Sequence, residues 1–177
     1  MPDLLFKVVI FGDAGVGKTT LVNRYLTGLF NAEYKITVGV DFHVKNLQIE
    51  GKKVTLQIWD FAGETQFRFL LPTYVKGASG GIFMFDVARP SSLQHIVDWM
   101  EIINIHVQKY KKELPIIMVG GKIDLEKNRE ITKEEAHKIA KAKNLIDCIE
   151  CSAKTGKNVE DIFISIARKM MEKAGLI

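Results

Sequence analysis

The sequence predicts an α/β fold in which a mostly parallel sheet is covered by helices on both faces. Three observations carry that prediction. Short apolar runs of strand length alternate with amphipathic runs of helix length, and such alternation builds a parallel sheet between helical layers. The first apolar run, Leu4–Phe11, leads straight into the glycine-rich stretch "GDAGVGKT", Gly12 to Thr19. Two later strands are joined only by "EGKK", Glu50–Lys53, a short glycine-containing turn that makes an antiparallel hairpin.

Six strands are expected, at Leu4–Phe11, Asp41–Ile49, Lys53–Trp59, Gly81–Asp86, Leu114–Gly120 and Ile146–Cys151, with the hairpin adding one antiparallel strand at the sheet edge. A first helix begins at Lys18 and runs to about Thr27. In "SSLQHIVDWMEIINIHVQKY" the residues Leu93, Ile96, Val97, Met100, Ile103 and Val107 recur at helical spacing and predict one buried face. "TKEEAHKIAKAK" opens on Thr132 with Glu135 three residues on, the pattern of a capping box. A last helix from about Val159 turns Ile162, Phe163, Ile166 and Met170 inward.

The chain has 177 residues, 47% hydrophobic and 26% charged. That is one domain's length, 1–177, with enough apolar surface to fold unaided. A net charge of +4 is mildly basic, and the lysines are scattered apart from Lys109, Lys111 and Lys112. No basic stripe forms, so no nucleic-acid partner is expected. The N-terminal run carries a single lysine before the glycine-rich loop and reads as a strand, not a signal peptide. No apolar run approaches the ~18 residues of a membrane span. Cys148 and Cys151 form a CxxC, but residues three apart on a strand point to opposite faces. They read as two separate core cysteines, and a reducing cytoplasm is the expected compartment. His43, His95, His106 and His137 are far apart in sequence and read as surface or core histidines.

"GDAGVGKT" matches G-x-x-x-x-G-K-[ST] in full and lies between an apolar strand and a helix, where that motif must lie. Gly15 and Gly17 allow a tight loop whose N–H groups point inward, and the helix start adds its positive dipole end. Lys18 supplies a point charge for the outer phosphates, and the Thr19 hydroxyl suits Mg²⁺. The chain is therefore read as a P-loop NTPase that binds a nucleoside di- or triphosphate. The motif alone chooses neither the base nor the reaction.

"LLFKVVIFGDAGVGKTTLVNRY", "ITVGVDF", "VTLQIWDFAGE", "GKID" and "ECSAKTGKNVEDIF" occur in that order. With this order and spacing the chain resembles a Ras-superfamily small GTPase, nearest the Rab branch, over residues 5 to about 172. The resemblance implies a six-stranded mixed sheet flanked by five helices, acting as a monomeric Mg²⁺-dependent GTP/GDP switch. It implies nucleotide contacts from Asp13, Ala14, Gly15, Val16, Gly17, Lys18, Thr19 and Thr20 of the phosphate loop. Thr37 would join Thr19 and Asp60 in holding Mg²⁺, and Gly63 would offer its N–H to the γ-phosphate. Loss of that phosphate would release both loops. Phe30 would pack against the guanine, although a loop-anchoring role fits it too. Asp124 would accept from the guanine N1–H and N2–H₂, a donor pair that adenine lacks. Lys122 would lie along the base, Ser152 and Ala153 would bound it with Ala153 offering N–H to O6, and Lys154 would pack beneath. Phe42, Trp59 and Tyr74 match an aromatic trio that shapes the effector surface, a role compatible with core packing. An exchange factor, a GTPase-activating protein and effectors are the partners implied.

The chain departs from the family pattern at three places. Gly121 stands where asparagine usually bonds the base and ties that loop to the phosphate loop. One lost buried bond costs about 1–2 kcal/mol, so weaker nucleotide binding or faster release is expected. The closing "MMEKAGLI" has no cysteine for prenylation, so these residues encode no membrane attachment; a place at the cytoplasmic face of a membrane would need a longer tail or an adaptor. Glu64 replaces the glutamine that orients the attacking water. It either takes up a proton beside the phosphate and donates as glutamine does, or stays charged, holds the water and repels the phosphate. Gln66 is an alternative two residues on. Ala14 is small enough not to block either side chain. Glu64 and Lys18 are the expected catalytic residues, no arginine stands in an obvious position to act in cis, and slow hydrolysis helped in trans follows. Two other readings stay open: a GTP-dependent interaction module that scarcely hydrolyses, motivated by Glu64 and Gly121, and an ATPase, which Asp124 with "SAK" argues against.

Overall fold

The computed structural model describes residues 4–32, 36–110 and 113–177. The side chains of His106 and Tyr110, and Lys111 and Lys112 of the basic cluster, lie outside that description. Six strands form one sheet: β1 Leu4–Phe11, β2 Val40–Ile49, β3 Lys52–Phe61, β4 Gly80–Asp86, β5 Ile116–Gly121 and β6 Cys148–Glu150. Their order is β2-β3-β1-β4-β5-β6. Only β2 and β3 are antiparallel. Their turn has positive φ at both Glu50 (49°) and Gly51 (76°), the backbone that matches the right-handed twist of a hairpin.

The helices are α1 Lys18–Thr27, α2 Leu71–Val75, α3 Pro90–Gln94, α4 Ile96–Tyr110, α5 Lys133–Ala142 and α6 Val159–Lys173. A 3₁₀ turn, Thr65–Leu70, leads into α2. Segments α3 and α4 are one helical stretch broken at His95, so five helical units flank the sheet among the described residues. Side chains alternate along β1: Val8 and Ile10 join a core with Leu21, Phe163 and Ile166 under α1 and α6. Val9 and Phe11 join the opposite core with Leu71, Ile96, Trp99 and Ala136 under α2 to α5. Each fully buried Val, Leu, Ile or Phe side chain contributes roughly 1.5–3 kcal/mol.

One residue of the expected face of α4 is corrected. Val97 is 54% exposed, whereas Trp99 is fully buried. Within α4, Ile96, Trp99 and Ile103 define the inward stripe, with Met100 and Val107 packed beside it. Thr132 and Glu135 form the reciprocal capping box of α5. Cys148 and Cys151 fall in opposite cores, and burial pushes both thiols up to about 12. No helix among the described residues is long and apolar enough to cross a membrane.

Candidate nucleotide-binding site

The phosphate loop joins the C-terminal end of β1 to the start of α1, with φ of 74° at Gly15 and 105° at Gly17. Left-handed backbone there turns the chain without a Cβ penalty. Lys18 is folded back into the loop and buried, its Nζ donating to Gly12 O and Asp13 O at 2.8 Å each. Burial lowers its pKa to about 8, against the attraction of Asp60, Glu64 and Asp13, while Arg89 adds to the lowering. A buried ammonium held only by carbonyls is poised for an anion.

The three residues of the expected metal set come together although Thr37 lies 18 positions, and Asp60 41 positions, after Thr19. Thr19 Oγ1 lies 2.6 Å from Thr37 Oγ1 and donates to Asp60 Oδ2 at 2.5 Å. Asp60 is fully buried, burial raises its pKa to about 6, and the Thr19 hydrogen bond and Lys18 oppose that rise. Its second oxygen, Oδ1, is buried without a partner. Two hydroxyls and one carboxylate with an unmet oxygen fit a hard divalent cation that takes few protein ligands. Gly63 lies directly against the phosphate loop: a Cβ there would come 2.1 Å from Ala14 N.

Glu64 lines the phosphate cleft beside Lys18, Thr19, Thr20, Thr37 and Gly63. Its Oε2 is buried and has no hydrogen-bond partner. Gln66, the alternative in the sequence, is exposed and is not among the residues lining the cleft.

A second cleft continues from Val16 and Gly17 past Phe30, Met84, Lys122, Asp124, Ala153 and Lys154. Lys122 Nζ donates to Gly15 O (2.7 Å) and pairs with Asp86 (2.8 Å), tying this region to the phosphate loop. Asp124 Oδ1 accepts from Ser152 Oγ at 2.6 Å, and Ser152 in turn accepts from Thr155 N. One face of the carboxylate is thus fixed by its own chain. A Cβ on Gly121 would meet the terminal methyl of Met84, Cε, at 2.5 Å, so a side chain there requires that flexible end to move.

Phe42, Trp59 and Tyr74 form a continuous run, with ring centroids 4.7 Å and 5.2 Å apart. Phe42 is 44% exposed, so this run is partly surface.

Sequence reasoning missed a cluster around Asp13. That carboxylate accepts from Trp99 Nε1 (2.9 Å), lies 2.6 Å from His95 Nδ1, and meets Arg68 at 3.4 Å. Arg68 also stacks over Trp99, 4.4 Å from the ring centroid. His95 is a surface histidine, its side chain 46% exposed, that also contacts the phosphate loop through Asp13. The signal was Asp13 itself, because a carboxylate in an anion-binding loop needs its own counter-charge. Arg89, which belongs to none of the expected motifs, also reaches the phosphate loop: its Nη2 donates to Ala14 O at 2.7 Å.

Comparison with known proteins accords with this geometry. A family model described as "Ras family" matches residues 7–172. "Ras-related protein Rab-13" from Bos taurus is 39% identical over 173 residues, covering 98% of this chain and 83% of the relative. The proteins of the same name from Canis lupus familiaris and Rattus norvegicus are 38% and 37% identical over the same length and with the same coverage. With the phosphate loop, the Thr19–Thr37–Asp60 corner and this coverage together, the chain belongs to the Ras family, on its Rab-like side.

Proposed function

We propose that this protein is a guanine-nucleotide switch that binds Mg²⁺ and GTP, hydrolyses GTP slowly to GDP, and changes the loops around Thr37 and Gly63 as it does so. The observation that carries this reading is the approach of both loops to one phosphate loop: Thr37 reaches Thr19, and Gly63 lies against Ala14. Lys18 and the loop N–H groups bind the phosphates. Thr19, Thr37 and Asp60 would hold Mg²⁺, which when bound neutralises charge on the β- and γ-phosphate oxygens. Asp124, fixed by Ser152, accepts from the guanine edge, while Phe30, Lys122, Ala153 and Lys154 bound the base. Glu64, facing the cleft, accepts a hydrogen bond from the attacking water.

Family membership supports an exchange factor, a GTPase-activating protein and effectors as partners, with Phe42, Trp59 and Tyr74 at the effector surface. The Rab-like sequence supports a place in membrane traffic, at the cytoplasmic side. One observation favours a second reading, a GTP-dependent interaction module with scarce hydrolysis: Glu64 brings a carboxylate oxygen with no partner into the cleft. Single-turnover hydrolysis of bound GTP separates the two. A rate above that of free GTP supports the switch, and a rate equal to it, with and without cell extract, supports the module.

A further inference from the structure

Arg89 belongs to none of the motifs that predicted the site. It stands in the turn after β4, with φ −137° and ψ 91°, and the following Pro90 confines it to extended backbone. Its N–H donates to Asp86 O (3.0 Å), and its carbonyl accepts from the Ser92 hydroxyl (2.6 Å). Ser92 is fully buried and also accepts from Asp86 N at 3.0 Å. The backbone of Arg89 is thereby anchored at both ends, and its side chain reaches back to the phosphate loop at Ala14.

The guanidinium is incompletely matched. Nη2 has the Ala14 carbonyl, but Nε is buried with no hydrogen-bond partner. A buried N–H left unmet is costly unless an acceptor completes it. Glu64 carries the opposite defect, a buried carboxylate oxygen with no partner, on the cleft lined by Ala14. Both charges act on Lys18, Glu64 attracting its ammonium and Arg89 repelling it.

We propose that Arg89 is a cation supplied in cis to the outer-phosphate end of the site, where it balances the negative charge of Glu64 and speeds GTP hydrolysis. This rests on the reading of the site as a GTPase. In that reaction the water oxygen bonds to the γ-phosphorus as the bond from that phosphorus to the β–γ bridging oxygen breaks. The bonding pair stays on GDP, and both water protons leave with the transferred group as dihydrogen phosphate. Negative charge grows on the bridging oxygen while Glu64 accepts from the water. A fixed cation nearby offsets both. A simple strut would hold Ala14 but would be indifferent to the charge at position 64.

The test is single-turnover hydrolysis of preloaded Mg·GTP by wild type, Arg89→Gln, Arg89→Lys, Glu64→Gln and the Arg89→Gln/Glu64→Gln double variant, with GDP off-rate and Tm measured on each. Loss of a charge-stabilising donor is expected to slow Arg89→Gln about 100-fold, with the GDP off-rate changed less than about threefold. The loss shrinks to roughly tenfold in the Glu64→Gln background, because less negative charge then needs balancing. Arg89→Lys keeps the charge and falls between. If Arg89→Gln does not fold, Arg89→Lys and Arg89→Lys/Glu64→Gln decide by the same comparison. Loaded protein whose hydrolysis is unchanged by loss of Arg89 overturns the proposal alone. So does an equal loss in the wild-type and Glu64→Gln backgrounds that tracks a faster GDP off-rate, which is the behaviour of a strut. Wild type that holds GTP but hydrolyses it no faster than free GTP also overturns it. Failure to load GTP at all overturns the GTPase reading, and the proposal with it.

Discussion

The Met84 methyl stands where a side chain on Gly121 would begin, 2.5 Å from the position of its Cβ. Met84 lines the cleft between the phosphate loop and Asp124. The missing asparagine is therefore not a bare gap, because a larger neighbour has taken its space. Lys122 keeps the two loops tied through Gly15 O.

Restoring the asparagine requires the flexible end of Met84 to swing aside. Gly121→Asn alone bears that displacement and should gain less than the pair of changes. Gly121→Asn with Met84→Val is expected to slow GDP release by roughly 5–30-fold, the equivalent of one buried hydrogen bond of about 1–2 kcal/mol. Stopped-flow release of a fluorescent GDP checks this. Equal off-rates for the single and double variants would show that Met84 is not the obstacle.

Lys18 provides a pH test of the phosphate site. Its pKa lies at about 8 in the free protein because burial disfavours the ammonium. Above that pH it is largely neutral, and phosphates draw a proton back onto it. Nucleotide binding should take up more protons at pH 8.5 than at pH 7. Calorimetry in buffers of different ionisation enthalpy measures the difference, and uptake that does not rise with pH would refute the assignment.

Cys148 and Cys151 link stability to alkaline pH. Burial raises both thiols from an ordinary 9.0 to about 12 in the folded chain. A raised folded pKa means that their contribution is fully present below pH 9 and is lost as pH climbs toward 12. Urea unfolding should show lower stability at pH 10 than at pH 8, with a smaller drop in Cys148→Ala/Cys151→Ala. The native thiols should also resist labelling at neutral pH, whereas rapid labelling would mean that they are accessible.

At the start of α5, Thr132 Oγ1 accepts from Glu135 N (3.2 Å), and Glu135 accepts from Thr132 N (2.8 Å). Thr132→Ala should cost about 1 kcal/mol, a Tm drop of roughly 2–4 °C for a chain of this size. Thr132→Ser should lose little. Thermal unfolding followed by circular dichroism decides.

What the sequence made legible was whatever local chemistry dictates. The phosphate loop, α1, the capping box and the hairpin turn are specified by neighbouring residues, and the structure has them in the expected places. Asp60 and Thr37 were expected only from the resemblance to small GTPases, and their meeting at Thr19 needed the sheet to bring β3 and the loop before β2 together. Tertiary choices were less legible. Val97 and Trp99 flank the apolar stripe within the one helix α4, and the core takes Trp99 while Val97 stays exposed, a choice at the edge of the stripe that periodicity alone leaves open. Arg68, Arg89 and His95 converge on Asp13 and Ala14 from three elements, and nothing local in "DVARPSS" or "TQFRF" announces that. The Met84–Gly121 exchange of volume joins neighbouring strands and is likewise invisible along the chain.

The most direct test of the central claim is displacement of fluorescent GDP by GTP and by ATP, with Mg²⁺ present, on wild type and Asp124→Ala. An Asp124 carboxylate that matches guanine donors and is left unpaired by adenine predicts that GTP displaces at a concentration at least about 100-fold below that of ATP. Asp124→Ala should remove most of that preference. Equal displacement by GTP and ATP on wild type would contradict the account.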